Sequence, residues 1–484
     1  MLNPRREIEH MNQKWDENYQ NNVISALKRL QEVKGVILGF HSVIDGIKRV
    51  RSDEIETILN ADLELKQSVQ ERIDGIPAEI FSPADMMAGL LVSIKSGRSY
   101  RMVIRDKATF QWILDTFGYD HLKLGGTSGC MANSLAPLNL QKILVYANPL
   151  TKQLLELFVE NDNLYVVDQI SEDIQFTHPH KAWQHKGIEA IHWGFEFAQG
   201  TKIQLNGKTL IAPRTSRFYP CWNPVNDKLL LSPSFKKSVL HSIDQFSHFI
   251  VSGYQLLSPN YPDGTTCIDY MLSTLSYLKE LKAASPKLKL HFECDTIPVD
   301  EIRYGIRKHV LPQMDSIGLN EVELDYFIKD MYGQKPNQLD QTHPIEYYFN
   351  GLVELATESG LERIHLHNFD YYICLTKRSE QVSPQRTRQA MILSAVIAAQ
   401  RAETGSVDDK VTPNSAKNIP ISKEGFTQME ALAKHISAPS NFMETGIANY
   451  NDYNVILLPT KIVSEPISTV GLGDTISAIA FLSE

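Results

Sequence analysis

The apolar positions of this 484-residue chain fall into short runs separated by longer stretches with helical periodicity. Each run is typical of a buried strand, and the runs lie at residues 35–40, 142–147, 249–253, 289–294, 316–320, 364–367 and 455–458. The first run is expected to end near Asp45, and residues 12–30 ahead of it predict an amphipathic helix. This alternation of strands and helices predicts an α/β fold built on a doubly wound sheet.

Two stretches, residues 46–120 and 193–232, break the alternation. The first carries many charges and two helical segments, and the second has a glycine turn and a segment rich in proline and aromatic residues. We interpret them as insertions that together build a second, smaller domain. The large domain would then comprise residues 1–45, 121–192 and 233–484.

Composition narrows the range of functions. The chain is 43% hydrophobic and 22% charged, which is ordinary for a soluble globular protein. Its net charge of −9 and the lack of a dense Lys/Arg tract argue against nucleic acid or an anionic membrane as a partner. No apolar run approaches the ~18 residues that span a bilayer. Five scattered cysteines, with no zinc-site spacing, indicate reduced thiols and a cytoplasmic location.

The most informative motif is near the C-terminus, at residues 468–477, where Gly471 and Gly473 precede Asp474 and a predicted helix. Glycines allow the backbone to approach an anion closely, and the first amides of a helix have no internal acceptors. A carboxylate among such amides would repel a phosphate, so Asp474 is a candidate general base for a substrate hydroxyl. The alternative is a glycine turn with a stabilising acid in the first helical turn.

A second glycine cluster spans residues 125–136 and includes Gly125, Gly126 and Asn133. It either allows close approach to a polar ligand or forms a tight turn with small-residue packing. The chain has neither a P-loop nor a dinucleotide fingerprint, so the terminal turn is the better candidate for binding phosphate.

Three oxygen-bearing side chains follow predicted strands, namely Glu293, Asn320 and Glu323. Magnesium uses one or two carboxylates together with waters and substrate phosphates, so these residues are candidate ligands. The alternative is that each is a helix cap or a surface acid. Similarly, Arg214 and Arg217 could clamp phosphate oxygens or form a solvated surface pair.

A polar and aromatic patch spans residues 365–372 and includes His367 and Tyr372. It could form an adenine pocket, or it could be the end of a strand with tyrosines packed in the core.

Taken together and in this order, these motifs resemble those of the archaeal ADP-dependent sugar kinases, the glucokinases and phosphofructokinases of the ribokinase-like superfamily. The resemblance extends from Gly39 to the C-terminus. It rests on Asp45, residues 125–133, Phe195-Glu196-Phe197, residues 212–218, His291 with Glu293, Asn320 with Glu323, residues 365–372 and residues 468–475.

The resemblance implies a ribokinase-like sheet flanked by helices, with a smaller α+β lid, and it implies a role for each matching residue. Asp474 would be the base, Gly471 and Gly473 the anion hole, and Arg217, with Arg214, the phosphate binders. The sugar would bind at Asp45, Gly125, Gly126 and Asn133. Magnesium would be held by Glu293, Asn320 and Glu323, and adenine by His367, Tyr372, Val455, Ile462 and Val463. Two positions depart from the family pattern: Asp370 stands in place of a glycine and Ser216 in place of an asparagine.

The function implied is transfer of the β-phosphoryl group of Mg·ADP to fructose 6-phosphate in glycolysis. Arg214, Arg217, Lys181 and Lys186 could bind the sugar phosphate. Glu79 could instead accept hydroxyls of glucose, or be a solvated acid ahead of the helix start at Ser82-Pro83.

Several alternatives remain open at this stage. They are a glucokinase, a bifunctional enzyme, an ATP-dependent ribokinase-like kinase, or an inactive sugar sensor. The expected partners are small molecules only, and the expected state is a monomer or small homo-oligomer.

Overall fold

The computed structural model describes residues 4–75, 79–167, 176–182, 190–333, 344–467 and 469–484, with side chains from residue 10 onward. Lys186 and Ser468, two residues of the sequence-based predictions, lie outside these ranges.

The strands follow the predicted apolar runs and add several that the runs did not reveal. In chain order they are β1 (Val36–Gly39), β2 (Val43–Arg49), β3 (Glu79–Ile80), β4 (Tyr100–Ile104), β5 (His121–Gly125), β6 (Ile143–Val145), β7 (Leu164–Val167), β8 (Phe176–Thr177), β9 (Ile191–Phe197), β10 (Lys202–Leu205), β11 (Lys208–Ile211), β12 (Ser216–Trp222), β13 (His248–Val251), β14 (Lys289–Glu293), β15 (Ser316–Leu319), β16 (Arg363–His367), β17 (Tyr371–Lys377), β18 (Ile447–Tyr450) and β19 (Tyr453–Pro459).

The helices fill the longer segments between the strands. In chain order they are α1 (Pro4–Glu32), α2 (Ser52–Ala61), α3 (Leu63–Arg72), α4 (Pro83–Ser96), α5 (Lys107–Phe117), α6 (Thr127–Leu135), α7 (Lys152–Glu156), α8 (Pro233–His241), α9 (Cys267–Ala284), α10 (Asp300–Gly305), α11 (Glu321–Met331), α12 (Ile345–Ser359), α13 (Pro384–Thr404), α14 (Lys423–His435), α15 (Phe442–Thr445) and α16 (Leu472–Leu482).

An eleven-stranded sheet forms the larger part of the molecule, in the order β18-β19-β17-β16-β15-β14-β13-β1-β6-β7-β8. The strands from β16 to β7 are parallel, and the outer strands at both ends pair antiparallel. The parallel strands are buried on both faces, which explains their continuous apolar sequence. The predicted α/β fold is therefore confirmed.

A six-stranded sheet, in the order β3-β4-β12-β9-β2-β5, forms the smaller part, and β10 and β11 form a separate hairpin. The six-stranded sheet includes β2 (Val43–Arg49) and β5 (His121–Gly125). Asp45 therefore lies inside a strand of this sheet, and not at the end of the first strand. The boundary predicted at residue 45 therefore falls inside β2. The boundary predicted at residue 121 falls directly before β5, although both strands belong to the smaller sheet. Pairing between distant segments determines which strands belong to the smaller sheet, and composition does not indicate such pairing.

The smaller sheet has one apolar and one polar face because its strands alternate with a period of two. On β9, Ile191, Trp193, Phe195 and Phe197 alternate with residues such as His192, and those four apolar side chains are at most 2% exposed. Strand β12 packs against α4 on the apolar side. The opposite face carries polar side chains.

The final helix, α16, packs against α13, α6 and the strands β14, β15 and β16. Its first residues thus lie where strands of the large sheet end. In the part of the chain that the structure describes, none of the helices is both long enough and apolar enough to cross a membrane. All five cysteines are buried and unpaired.

Candidate active site

The terminal glycine turn begins α16 as predicted. Gly471 is the N-cap residue in the left-handed region, with φ of +71°, a conformation that costs glycine little. Asp474 lies in the first turn of the helix. Burial, and next Asp295, raise the pKa of its carboxyl to about 6, against opposing contributions from Arg401 and His367. A carboxylate with such a pKa is suited to act as a base near neutral pH.

Gly473 allows the turn to approach the end of β16 closely. A Cβ atom built on Gly473 would lie 2.8 Å from Cε1 of His367. The Nε2 atom of His367 is in turn 3.5 Å from Oε1 of Glu293. The structure thus brings His367 to the terminal turn and to Glu293, whereas the family resemblance implies that His367 lines an adenine pocket.

Glu293 lies at the end of β14 and is 2% exposed. Burial, and next the charge of Asp474, raise the pKa of its carboxyl well above the ordinary value. His291 Nε2 lies 3.2 Å from Oε2 of Glu293. Gly318 on the neighbouring strand makes room for this carboxylate, because a Cβ there would lie 2.3 Å from Oε2.

Asn320 and Glu323 form a capping box at the start of α11. The Asn320 backbone N–H and side-chain amide donate to the Glu323 carboxylate at 2.9 and 2.8 Å. The Asn320 side-chain oxygen accepts from the Val322 and Glu323 amides at 2.9 and 3.0 Å. This is the helix-cap alternative that the sequence left open, and it occupies both side chains.

The predicted magnesium ligands do not form a closed cage. Among the described residues, no group of three His, Cys, Asp or Glu side chains is arranged to hold a metal. Burial raises the pKa of Glu323 to about 8, although the charge of His367 opposes this. Glu293 and Glu323 are therefore two buried carboxyls whose surroundings do not fully stabilise a negative charge. This donor chemistry fits an ion that keeps its waters and binds substrate phosphate, as magnesium does.

Asp45 lies on the polar face of the smaller sheet, paired with Lys123 on β5 and His192 on β9. The Asp45 carboxylate packs directly against Gly125, because a Cβ on Gly125 would lie 2.2 Å from it. Burial raises the pKa of Asp45 to about 7; Arg101 opposes this, and Asp474 adds to it. The charge of Asp474, at the start of α16, thus reaches Asp45 on the smaller sheet.

Gly126 is required by the turn between β5 and α6. It has φ of +74°, and a Cβ there would lie 2.5 Å from the His41 carbonyl oxygen. The segment that carries His41 joins β1 of the large sheet to β2 of the small one. Gly125 and Gly126 thus lie at the junction of the two sheets.

The two predicted arginines behave differently. Arg217 lies on the polar face of β12, where its Nη1 donates to the Tyr219 hydroxyl at 3.0 Å and its charge lowers the pKa of Asp45. Arg214 is exposed, and its Nε donates to the Gly97 carbonyl at 2.9 Å. These interactions link Arg217 to the site.

Glu79 is bound by an arginine. The Nε and Nη2 atoms of Arg105 donate to Oε1 of Glu79 at 2.9 and 2.6 Å. Arg105 also donates to the Ser258 hydroxyl and lies 3.9 Å from Asp227. The predicted helix start at Ser82-Pro83 is confirmed, since Ser82 caps α4.

Asn133 binds protein backbone at both ends of its amide. Its Nδ2 donates to the Leu157 carbonyl at 2.9 Å, and its Oδ1 accepts from the Val159 amide at 2.9 Å. The side chain thus holds the segment after α7, and the structure does not bring its amide group to Asp45. Lys181, a further candidate, is exposed after the edge strand β8.

The other residues assigned to adenine lie along β17, β19 and the segment that follows. Val455 is fully buried within the sheet, opposite Leu375 on β17. Tyr372 is 5% exposed and packs edge-on against His365. Ile462 and Val463 are half-buried after β19. Ile462 and Val463 thus remain accessible at the surface, and Val455 is a core residue.

Sequence reasoning missed a group of side chains that joins the two sheets. Arg101 of the smaller sheet approaches Asp295, just beyond β14, with 3.8 Å between Nη1 and Oδ2. Gln255 donates to Asp295 at 2.7 Å and lies 2.9 Å from His41 Nδ1. His192 is near His41, with ring centroids 5.4 Å apart. Alternation along β4 and β9 could have indicated Arg101 and His192, but nothing local marks Asp295.

Comparisons with known proteins identify the family of this chain. Residues 34–483 match the family model described as the ADP-specific phosphofructokinase/glucokinase conserved region. An ADP-specific phosphofructokinase of Methanosarcina acetivorans is 25% identical, with 97% of each chain covered. An ADP-dependent glucose/glucosamine kinase of Pyrococcus furiosus is 29% identical, covering 97% of this chain and 98% of the relative.

A solved structure is similar over nearly the whole chain. It is an ADP-dependent kinase in complex with fructose-6-phosphate and ADPbetaS, with a TM-score of 0.83 and 27% identity, and 97% of each chain is covered.

Proposed function

The chain belongs to the ADP-specific phosphofructokinase/glucokinase family of ADP-dependent sugar kinases, and we propose that its acceptor is fructose 6-phosphate. The β-phosphoryl group of ADP would pass to the free primary hydroxyl of the sugar. The products would be fructose 1,6-bisphosphate and AMP.

One observation carries the proposal. The carboxylate of Asp474, at the start of the last helix, lies close enough to Asp45 on the polar face of the smaller sheet for its charge to help raise the pKa of Asp45. Asp474, with a pKa of about 6, is ionised at neutral pH and can accept a proton. A sugar held at Asp45 would thus present its hydroxyl near this base.

The chain's own residues would do little covalent chemistry. Asp474 takes the hydroxyl proton while the oxygen attacks the β-phosphorus and the bond to AMP breaks. The first amides of α16 and the guanidinium of Arg217 stabilise the charge of the transferred group. Closure of the two sheets around the substrates excludes water, which would otherwise accept the phosphoryl group.

Magnesium is the ion that we expect with ADP. When bound, it would neutralise phosphate charge, and Glu293 and Glu323 would hold it through water.

The charges around Asp45 favour a phosphorylated sugar. Arg101, Lys123 and Arg217 all lower the pKa of Asp45, so three cations act on this part of the site. Such cations suit a sugar phosphate. Glu79, the candidate acceptor for glucose hydroxyls, already accepts from Arg105 at 2.6 Å.

Glucose is the second candidate acceptor, alone or beside fructose 6-phosphate. The glucose/glucosamine kinase of Pyrococcus furiosus, at 29% identity, supports it.

An assay of AMP release tests the proposal directly. ADP and ATP would each be crossed with fructose 6-phosphate and glucose, in the presence of magnesium chloride. We expect AMP formation with ADP and fructose 6-phosphate, with a higher kcat/KM than with glucose. A higher value with glucose would overturn the choice of acceptor, and sugar binding without AMP would indicate an inactive sensor.

The variant Glu79→Ala examines the acceptor choice within the site. If Glu79 accepts from glucose hydroxyls beside its contact with Arg105, its loss should lower any glucose activity more than the fructose 6-phosphate activity. An equal effect on both sugars would rule out a selectivity role for Glu79 and leave it as a partner of Arg105.

A further inference from the structure

Arg401, on α13, holds the terminal turn from behind. Its Nη2 donates to the Val470 carbonyl at 3.0 Å and its Nη1 to the Gly471 carbonyl at 2.5 Å. The same Nη1 also donates to the hydroxyl of Thr475. One planar guanidinium thus binds two consecutive carbonyls and a side chain of the first helical turn.

The carbonyl contacts determine where the neighbouring amide points. In a trans peptide the C=O and N–H bonds point in opposite directions. When Arg401 holds the Val470 carbonyl, the Gly471 N–H is directed away from the guanidinium. The contact with the Gly471 carbonyl likewise orients the Leu472 N–H, which donates to the Thr469 carbonyl at 3.4 Å. The Gly471 and Leu472 amides are therefore directed by Arg401.

Thr475 connects this arrangement to a second helix. Its hydroxyl lies 2.9 Å from the Ser134 hydroxyl on α6, and it also donates to the Gly471 carbonyl at 2.8 Å. Ser134 donates to the Cys130 carbonyl at 2.8 Å. The turn is thus held between α13 and α6, and Gly471 is close to both, since a Cβ there would meet Cys130 at 2.9 Å and Arg401 at 3.1 Å.

The charge of Arg401 is not matched by a direct ion pair. Within the described ranges, no carboxylate lies at ion-pairing distance from its guanidinium, and its hydrogen bonds go to neutral oxygens. A cation bound to carbonyls leaves positive potential beside the turn, which favours an anion there.

We propose that Arg401 is a positioning residue of the kinase site, which orients the terminal turn so that its amides receive the outer phosphate of the nucleotide. This inference rests on the proposed function, since it assigns the turn to the β-phosphate of ADP. Arg401 acts through the backbone and through Thr475, and its charge also lowers the pKa of Asp474.

The test compares Arg401→Met with Arg401→Lys in the full chain. Loss of the guanidinium frees two carbonyls and disorients the turn, so kcat should fall about 100-fold in Arg401→Met. The KM for the sugar should change little. The preference for ADP over AMP, measured by calorimetry with magnesium chloride, should fall about tenfold. Arg401→Lys keeps the charge without the planar fork, so its kcat and its preference for ADP should lie between those of the wild type and those of Arg401→Met.

Arg388 is the matched control, because it lies on the same helix and donates to the Thr445 carbonyl at 2.9 Å. Arg388→Met should lower the thermal midpoint without changing kcat or the preference for ADP. If Arg401→Met keeps the wild-type kcat and preference, the proposal is wrong. If that variant does not fold, Arg401→Lys decides: a lower kcat at an unchanged midpoint supports the proposal, and a wild-type kcat contradicts it.

The preference for ADP over AMP separates this inference from the proposed function. If the wild-type protein binds ADP but phosphorylates neither sugar, the proposed acceptor fails. The role of Arg401 is then still judged, because the change in preference requires no turnover.

Discussion

The helices α11 and α16 each carry an acid at their third residue, and these two acids are held very differently. In α11, Glu323 accepts from both the backbone and the side chain of Asn320, and Asn320 accepts from Glu323 in return. In α16, Asp474 follows a glycine N-cap that has no side chain and a left-handed backbone. The residue at the N-cap thus separates an acid that stabilises its helix from one that is available to a substrate.

The largest effect is expected when the available acid is removed. Asp474→Asn keeps the shape of the side chain but eliminates its basicity, so kcat should fall by about 10² to 10⁴. Binding of ADP, measured by calorimetry, should survive because the amides of the turn remain. Turnover close to that of the wild type would exclude Asp474 as the base.

The N-cap glycine itself can be tested next. In Gly471→Ala the left-handed backbone costs roughly 1–2 kcal/mol, and the new Cβ would meet Cys130 Sγ at 2.9 Å. We expect lower stability in chemical denaturation together with at least a tenfold lower kcat, since the turn must shift.

Gly264→Ala is the control for backbone strain alone. Gly264 has φ of +84° with no atom within 4 Å of a built Cβ. The Gly264→Ala variant should be less stable than the wild type and should keep the wild-type kcat. Equal kcat values in both variants would show that the turn tolerates displacement.

The pH dependence tests the raised pKa of Asp474. Its folded-state pKa of about 6 exceeds the ordinary value of 3.8. The folded state therefore binds this proton more tightly, and the contribution of Asp474 to stability falls as the pH rises from 4 through 6. Asp474→Asn should thus raise the free energy of unfolding at pH 8 while it removes activity.

The acid limb of the wild-type kcat/KM profile should show an apparent pKa near 6, displaced upward by coupling to Asp45. An activity that is constant down to pH 4 would contradict the assignment of Asp474 as base.

The smallest effects are expected in the capping box of α11. Asn320→Ala removes the cap and should cost about 1 kcal/mol in urea denaturation. Glu323→Gln retains an oxygen that can accept from Asn320, so stability should change less, and the magnesium concentration for half-maximal activity should rise. An unchanged magnesium requirement would limit Glu323 to its structural role.

Much of the fold could be predicted from the sequence, because strands and helices leave a local pattern. The apolar run at residues 35–40 and the glycines at the start of α16 are examples. Asp45 shows the limit. Its position between β5 and β9 follows from pairing with residues more than 70 positions away, since Lys123 and His192 are its partners.

The candidate site was predicted unevenly for the same reason. The placement of Glu293 at the end of a strand and of Asp474 at the start of a helix could be predicted from the local pattern. Asn133 belongs to a glycine motif and Glu79 only precedes a helix start, yet the structure binds the Asn133 side chain to backbone and the Glu79 side chain to Arg105. Arg401 is separated from its turn by about 70 residues and carries no local motif.

The sequence by itself determined which segments become strands and helices, and it supplied a carboxylate next to two glycines at the last helix. Periodicity and backbone freedom are properties of neighbouring residues, so they can be read locally. Only the tertiary structure decided which polar groups remain available. A hydrogen bond or a raised pKa depends on partners and burial, and for Glu79, Asp45 and Asp474 these come from remote parts of the chain.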